Sequence, residues 1–228
     1  MTERDVFLDV LREAMSGPDF EPRMPYVPLP AGELPRPIFV GAPGGVAHFV
    51  EAWQELGGHV HRASSQDGIV GAVAEAVAGR GPVAVADQAD LSDIPRQLEW
   101  PLCGLEALAD AAVGVVTAVA AVAATGSVVV DAASASGRSI SLLPDVAIFV
   151  VDVRTIVDTP SDFLRDHPAR WPQGPPSQVV LVSGPSRSAD IEMTLTVGVH
   201  GPGEVHVVLV DSLAGPPVQP RDQHETSG

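Results

Sequence analysis

Apolar positions along the chain change period several times, and each change marks an element. Between Asp5 and Met15, Val6, Val10 and Ala14 share one helical stripe with Phe7 and Leu11 beside it, which predicts an amphipathic helix stopped by Gly17-Pro18. From Pro18 to Pro37 prolines are frequent and no period survives. This segment is expected as an extended surface arm, able to clasp another subunit. A helix around Val46 to Leu56, a strand His59 to Arg62, a helix Asp67 to Ala78 and a strand Val83 to Ala86 follow. Gly57-Gly58 and Gly79-Arg80-Gly81 stand where helix C-caps belong. Val113–Val116, Ser127–Val130, Val146–Val151, Val179–Ser183 and Val205–Val210 are short, β-branched and nearly unbroken, as strands buried on both faces should be. Helices alternating with such runs predict an α/β fold, a mostly parallel sheet covered by helices on both faces. The expected organisation is a helix and Pro-rich arm over 1–37, an α/β domain over 38–214, and a polar, mobile tail over 215–228.

Composition narrows the partners. A chain of 228 residues with 45% hydrophobic residues can fill one core. Its formal charge of −16 repels polyphosphate backbones and acidic lipid surfaces, so neither nucleic acid nor membrane is an expected partner. The longest apolar run, Ala111 to Ala124, is shorter than a bilayer span. The start, Met1-Thr2-Glu3-Arg4-Asp5, has no secretory pattern, and the cytoplasm is the expected compartment. There is no lysine, which removes Schiff-base chemistry and Walker-type phosphate loops from consideration. The single cysteine, Cys103, cannot supply the thiolates of an iron–sulfur cluster and reads as a small buried residue.

Candidate chemistry concentrates in Ser183 to Pro202, where an apolar run delivers the chain into Gly184-Pro185-Ser186-Arg187 and then an expected helix. Such strand-to-helix crossings hold ligands in open α/β sheets. Helix-start amides with Ser186, Ser188 and Arg187 suit a carboxylate or phosphate. Ser186 or Ser188 serves equally as a helix cap, with Asp190 and Glu192 complementing the helix dipole. Arg187 fits both oxygens of a small carboxylate, or a surface ion pair with Asp190 or Glu192. Glu192 and His200 suit general base and acid, with Asp190 as a further carboxylate, if they share a cleft. His200, before Gly201-Pro202, also suits a plain turn. Arg138, in the small-residue loop Ser134 to Ser139, is a second anion contact or a mobile connection. His59 and His61 alternate on one strand and point the same way, but no third ligand stands at diagnostic spacing, and no metal is expected. Trp53, Trp100 and Trp171 are expected to anchor packing.

Several of these segments resemble one family. The run GPSRSADIEMTLTVGVHGPGEVHVVLV is similar to the C-terminal signature of the lactate-utilisation protein C (LUD-domain) family. Ala124-Thr125-Gly126-Ser127 resembles the family's ETGT segment, and Gly137-Arg138-Ser139-Ile140-Ser141-Leu142-Leu143-Pro144 its GR-x-x-SLLP segment. Phe49 to Gly58, followed by Val60-His61-Arg62, is similar to its early helix and strand. Ala124 stands where the family usually has Glu, and Ala147 where it often has His. The resemblance implies a fold like the ribose-phosphate isomerase, CoA-transferase and formyltetrahydrofolate cyclo-ligase superfamily. It implies a non-redox component of L-lactate to pyruvate oxidation, with iron–sulfur clusters on partner subunits and no cofactor in this chain. Thr125, Gly126, Gly184, Ser186, Arg187 and Arg138 are then the expected substrate contacts, and Glu192, His200 and Asp190 the expected catalytic groups. A self-sufficient small-molecule enzyme or binding protein of the same superfamily is the alternative.

Overall fold

The computed structural model describes residues 9, 44–97, 101–132, 139–165, 170–171, 174, 176–189, 195–197, 201–211 and 213. The chain divides into two units, Met1–Ile38 and Phe39–Gly228. All described residues except Asp9 belong to the second. The predicted arm and the tail from residue 215 lie outside the described residues, as does the N-terminal helix apart from the helical Asp9.

The expected early elements form. Helix α1, Gly45–Glu55, buries Phe49 and Trp53 on one face. It ends where the amide of Gly57 bonds Gln54 O at 2.9 Å and that of Gly58 bonds Trp53 O at 3.0 Å. Gly57 has φ +92°, a value that a side chain disfavours. Helix α2, Gln66–Val77, starts under Ser65, whose hydroxyl accepts from Gly68 N, and stops at left-handed Ala78. Its apolar stripe of Ile69, Val73, Ala76 and Val77 is fully packed. Two short helices, α3 (Ile94–Gln97) and α4 (Pro160–Arg165), follow later.

The strands, in chain order, begin with β1 (His59–Ala63), β2 (Val83–Val85), β3 (Val113–Thr117), β4 (Ala120–Val122) and β5 (Ser127–Asp131). They continue as β6 (Val146–Asp152), β7 (Ile156–Val157), β8 (Val179–Val182), β9 (Arg187–Ala189), β10 (Leu195–Val197) and β11 (Glu204–Val210). Five make one sheet in the order β1-β11-β6-β3-β2, and every pairing in it is parallel. All residues of β3 and β6 are buried, which is why their sequences are apolar up to the closing Thr117 and Asp152.

Register shows that helices cover both faces. Partners across parallel strands share a face, and neighbours along a strand alternate. Phe149 on β6 meets Trp53 of α1 edge-on at 6.2 Å between centroids. His206, paired with Ile148 next to it, therefore lies on the opposite face, with His61 and Glu75 of α2. The fold is α/β, as the periodicity predicts.

A second sheet, β7-β4-β5-β8, is mixed. β5 runs antiparallel to both β4 and β8. A single turn at Ala123–Gly126 joins β4 to β5, far too short for the crossover that a parallel pair requires. β8 is only partly buried.

The predicted helix after Ser183 is corrected. Arg187–Ala189 is a strand, paired antiparallel with Leu195–Val197. The Thr-Leu-Thr-Val stretch supplies β-branched residues within hairpin reach, and pairing with it satisfies amides that a helix would otherwise have used. Among the described residues, no helix is long and apolar enough to cross a membrane.

Candidate functional site

Two turns and a helix end meet at the start of β5 and the end of β8. Antiparallel register sets Ser127 beside Ser183, and their hydroxyls lie 2.7 Å apart. Thr125 Oγ1 extends this line, 2.7 Å from Ser127 Oγ. Gly126 (φ +54°) presses on α1 so closely that a Cβ would stand 2.7 Å from the Ala52 carbonyl carbon. Gly184 (φ +85°) packs on Leu56 in the same way. The amide of Ser186 donates to Pro202 O at 2.8 Å, seating the GPS loop against the Gly201-Pro202 turn.

Arg187 is exposed, and its Nη2 donates to Leu56 O at 2.6 Å. A guanidinium there satisfies a terminal carbonyl of α1 and faces the negative end of its dipole. Among the described residues this is its one hydrogen bond, so further donors of its fork remain for a ligand. Thr125, Gly126, Gly184, Ser186 and Arg187 are thus brought together around the end of α1. The proposed helix-start amides are not part of the site, because β9 replaces that helix. Arg138, Asp190, Glu192 and His200 lie outside the described residues.

A second polar group collects at the C-terminal ends of the parallel strands, the edge where open α/β sheets hold ligands. Asp152, at the end of β6, is 4% exposed and is gripped by Arg154 through Nη2 at 2.6 Å and Nε at 3.0 Å. Burial pushes its carboxyl up, but the bonds from Arg154 and from the amides of Leu213 and Arg154 outweigh that and hold it below the ordinary aspartate range. Asp90 is shifted the other way, raised by burial and by the charge of Asp152. Gln88 Oε1 accepts from Thr117 N at 2.8 Å, while Thr117 Oγ1 is buried without a partner. Sequence reading passed over Asp90, because what perturbs it is burial and the charge of Asp152, 62 residues away in sequence.

A third group lies on the α2 face of β1 and β11. The rings of His59 and His206 stack at 4.6 Å, and those of His61 and His206 at 5.3 Å. His61 Nε2 is 3.0 Å from His206 Nδ1, and His206 Nε2 is 2.7 Å from Glu204 Oε1. Arg80 forks Glu204 with Nη1 at 2.7 Å and Nη2 at 2.9 Å, and is held by the carbonyls of Ala76 and Val77. That fork, outweighing burial and helped by His206, lowers the Glu204 pKa to about 2. Burial lowers the pKa of His206, so its neutral form is favoured. His59 and His61 were visible in the sequence as a pair. Glu204 and His206 join them only through the parallel pairing of β1 with β11.

Elsewhere the residues are structural. Burial and the nearby Asp110 raise the pKa of the Cys103 thiol, the opposite of a reactive thiolate. Trp53 donates from Nε1 to His59 O at 3.0 Å, and Trp171 to Asp131 Oδ2 at 2.9 Å. Trp100 lies outside the described residues. Ala147 is fully buried, paired with Gly114 and Val205 on the neighbouring strands.

Comparison with known proteins finds similarity over part of the chain. Residues 105–210 match the family model described as the LUD domain. "Lactate utilization protein C" of Halalkalibacterium halodurans is 38% identical over 109 residues, 47% of this chain and 47% of that protein. The protein of the same name from Bacillus subtilis is 41% identical over 101 residues, 43% of this chain and 42% of that one. The chain thus matches less than half the length of these curated relatives. A crystal structure of a DUF162 family protein from Deinococcus radiodurans superposes with a TM-score of 0.53 at 24% identity, over 72% of this chain and 94% of that one, a likeness of fold. Residues 105–210, the segment that carries β3 to β11, are thus similar to the LUD domain family.

Proposed function

We propose that this chain works in L-lactate utilisation as a component without a redox centre, beside partner subunits that hold iron–sulfur clusters. The observation that carries the reading is the likeness, at 38% and 41% identity, to two proteins called Lactate utilization protein C. The chemistry of the chain agrees. One cysteine with a raised pKa is no ligand set for a cluster, so electrons would travel on other subunits. The junction of Thr125, Ser127, Ser183, Ser186 and Arg187 offers hydroxyls and a guanidinium to a small carboxylate such as lactate or pyruvate. His200, Asp190 and Glu192 are the proposed proton-transfer groups.

Deleting the gene from its native cell and restoring it tests the role. Loss of growth on L-lactate, recovered on complementation, is expected, together with gentle co-purification of iron–sulfur partners. Normal growth on L-lactate without the gene refutes it. The Arg187→Ala variant should bind pyruvate more weakly, and unchanged binding removes the anchor. A second reading, a self-sufficient small-molecule enzyme or binding protein, is favoured by the raised carboxyl of Asp90 at the ligand-holding edge of the sheet. Turnover or tight binding of a 2-keto acid or an acyl-CoA by the isolated chain would distinguish it.

A further inference from the structure

We propose that His59, His206 and Glu204 form a binding site for a divalent transition-metal ion of the zinc type, outside the carboxylate junction. One ligand atom from each residue lies within 4.8 Å of the other two. Ligands around a tetrahedral zinc, at about 2.0–2.2 Å from the metal, stand roughly 3.3 Å from one another. His206 Nε2 and Glu204 Oε1, at 2.7 Å, are already about that close. Closure therefore falls to His59, which is exposed and would turn its ring out of its stack on His206, whereas His206 is fixed by burial. Two imidazoles and a carboxylate leave a fourth position for water, the ligand set of an open zinc site.

The surroundings supply what such a site needs. A ligating imidazole usually donates its second N–H to an outer partner that sets its tautomer. His206 Nδ1 has that partner in His61 Nε2 at 3.0 Å, and His61 Nδ1 faces Glu75 Oε2 at 3.7 Å. With both protons shifted toward Glu75, His206 Nε2 presents a lone pair to the metal. Without metal the opposite tautomers fit the same distances, with a proton on His206 Nε2 lying between it and Glu204 Oε1. The same row of side chains thus accommodates either state by moving two protons. Glu204 is held by Arg80, which orients the carboxylate and weakens its pull on a cation. Affinity is consequently set below that of a closed structural site.

The test uses the untagged full chain, stripped with chelator and titrated with Co²⁺ and Zn²⁺ by calorimetry and visible absorption. One ion per chain is expected, with the d–d bands of low-coordinate cobalt. His59→Ala should weaken binding by at least about tenfold, the loss that even an outer-shell partner causes. Because His59 is exposed, this variant should unfold at the wild-type temperature without metal. His48→Ala, on α1, is the control and should bind as wild type does. Absence of binding by the wild type, or wild-type affinity in His59→Ala, overturns the proposal. None of these readouts depends on lactate, so the outcome is separate from that of the growth experiment.

Discussion

Gly126 was expected among the substrate contacts, yet its surroundings describe a packing role, and Gly126→Ala separates the two. The residue is buried, has φ +54°, and touches the backbone of α1. Two costs follow. A Cβ in the left-handed region costs about 1 kcal/mol. The added methyl would also lie 2.7 Å from the Ala52 carbonyl carbon and 2.8 Å from Trp53 N, main-chain atoms that cannot swing aside. Overpacking of this kind typically costs about 1–3 kcal/mol. The sum, about 2–4 kcal/mol, corresponds to a fall in Tm of roughly 5–15 °C for a domain of this size. Urea unfolding followed by tryptophan fluorescence should show a lower midpoint with unchanged slope, and Trp53 sits at the perturbed contact. Gly71→Ala is the matched control, because nothing lies within 4 Å of its Cβ position and it stands inside helix α2. That variant should gain about 0.5–1 kcal/mol. If Gly126→Ala unfolds within about 2 °C of wild type while losing ligand affinity, the packing argument is refuted and the glycine is there for the ligand.

Other consequences are open to the same instruments. Phe149→Ala removes a fully buried ring from between β6 and Trp53 and should cost about 3–5 kcal/mol, seen as a lower urea midpoint. Ser65→Ala deletes the hydroxyl that caps α2 and should cost about 1 kcal/mol by thermal unfolding. Asp90 has a folded-state pKa above its unfolded value, so ionisation at neutral pH opposes folding, and this penalty appears as pH rises through the unfolded pKa toward the folded one. Asp90→Asn should therefore raise Tm at pH 7 and lose that advantage below about pH 3. Asp152 has the opposite sign. Its carboxylate stabilises the fold above its unfolded pKa and is lost as acid protonates it, so Arg154→Gln should destabilise at pH 7 and have less effect in acid.

Local chemistry explains what could be read early. The stripe of Ile69, Val73 and Val77 and the double glycines after α1 act within a few residues of one another, so they specify helix α2 and the end of α1 without reference to the rest of the chain. The runs around Val115 and Ile148 are apolar up to their last residues, Thr117 and Asp152, because both faces of the sheet are covered, and that is visible as composition. The hairpin of β9 and β10 was not legible in this way. Ser186-Arg187-Ser188 suits a helix start as well as a strand, and only pairing with Leu195–Val197 decides between them.

Sequence alone determined the helices α1 and α2, the buried strands, the α/β class, the absence of lysine chemistry and the likeness of several segments to a family. Tertiary structure decided which side chains meet. Parallel pairing of β1 with β11 carries His59 and His61 to Glu204 and His206, across about 145 residues of chain. Antiparallel pairing of β5 with β8 carries Thr125 and Ser127 to Ser183 and Arg187. The physical reason is range. Propensity and capping act over one turn of chain, whereas a binding site is a convergence of distant segments, and the register of the sheet fixes which residues converge.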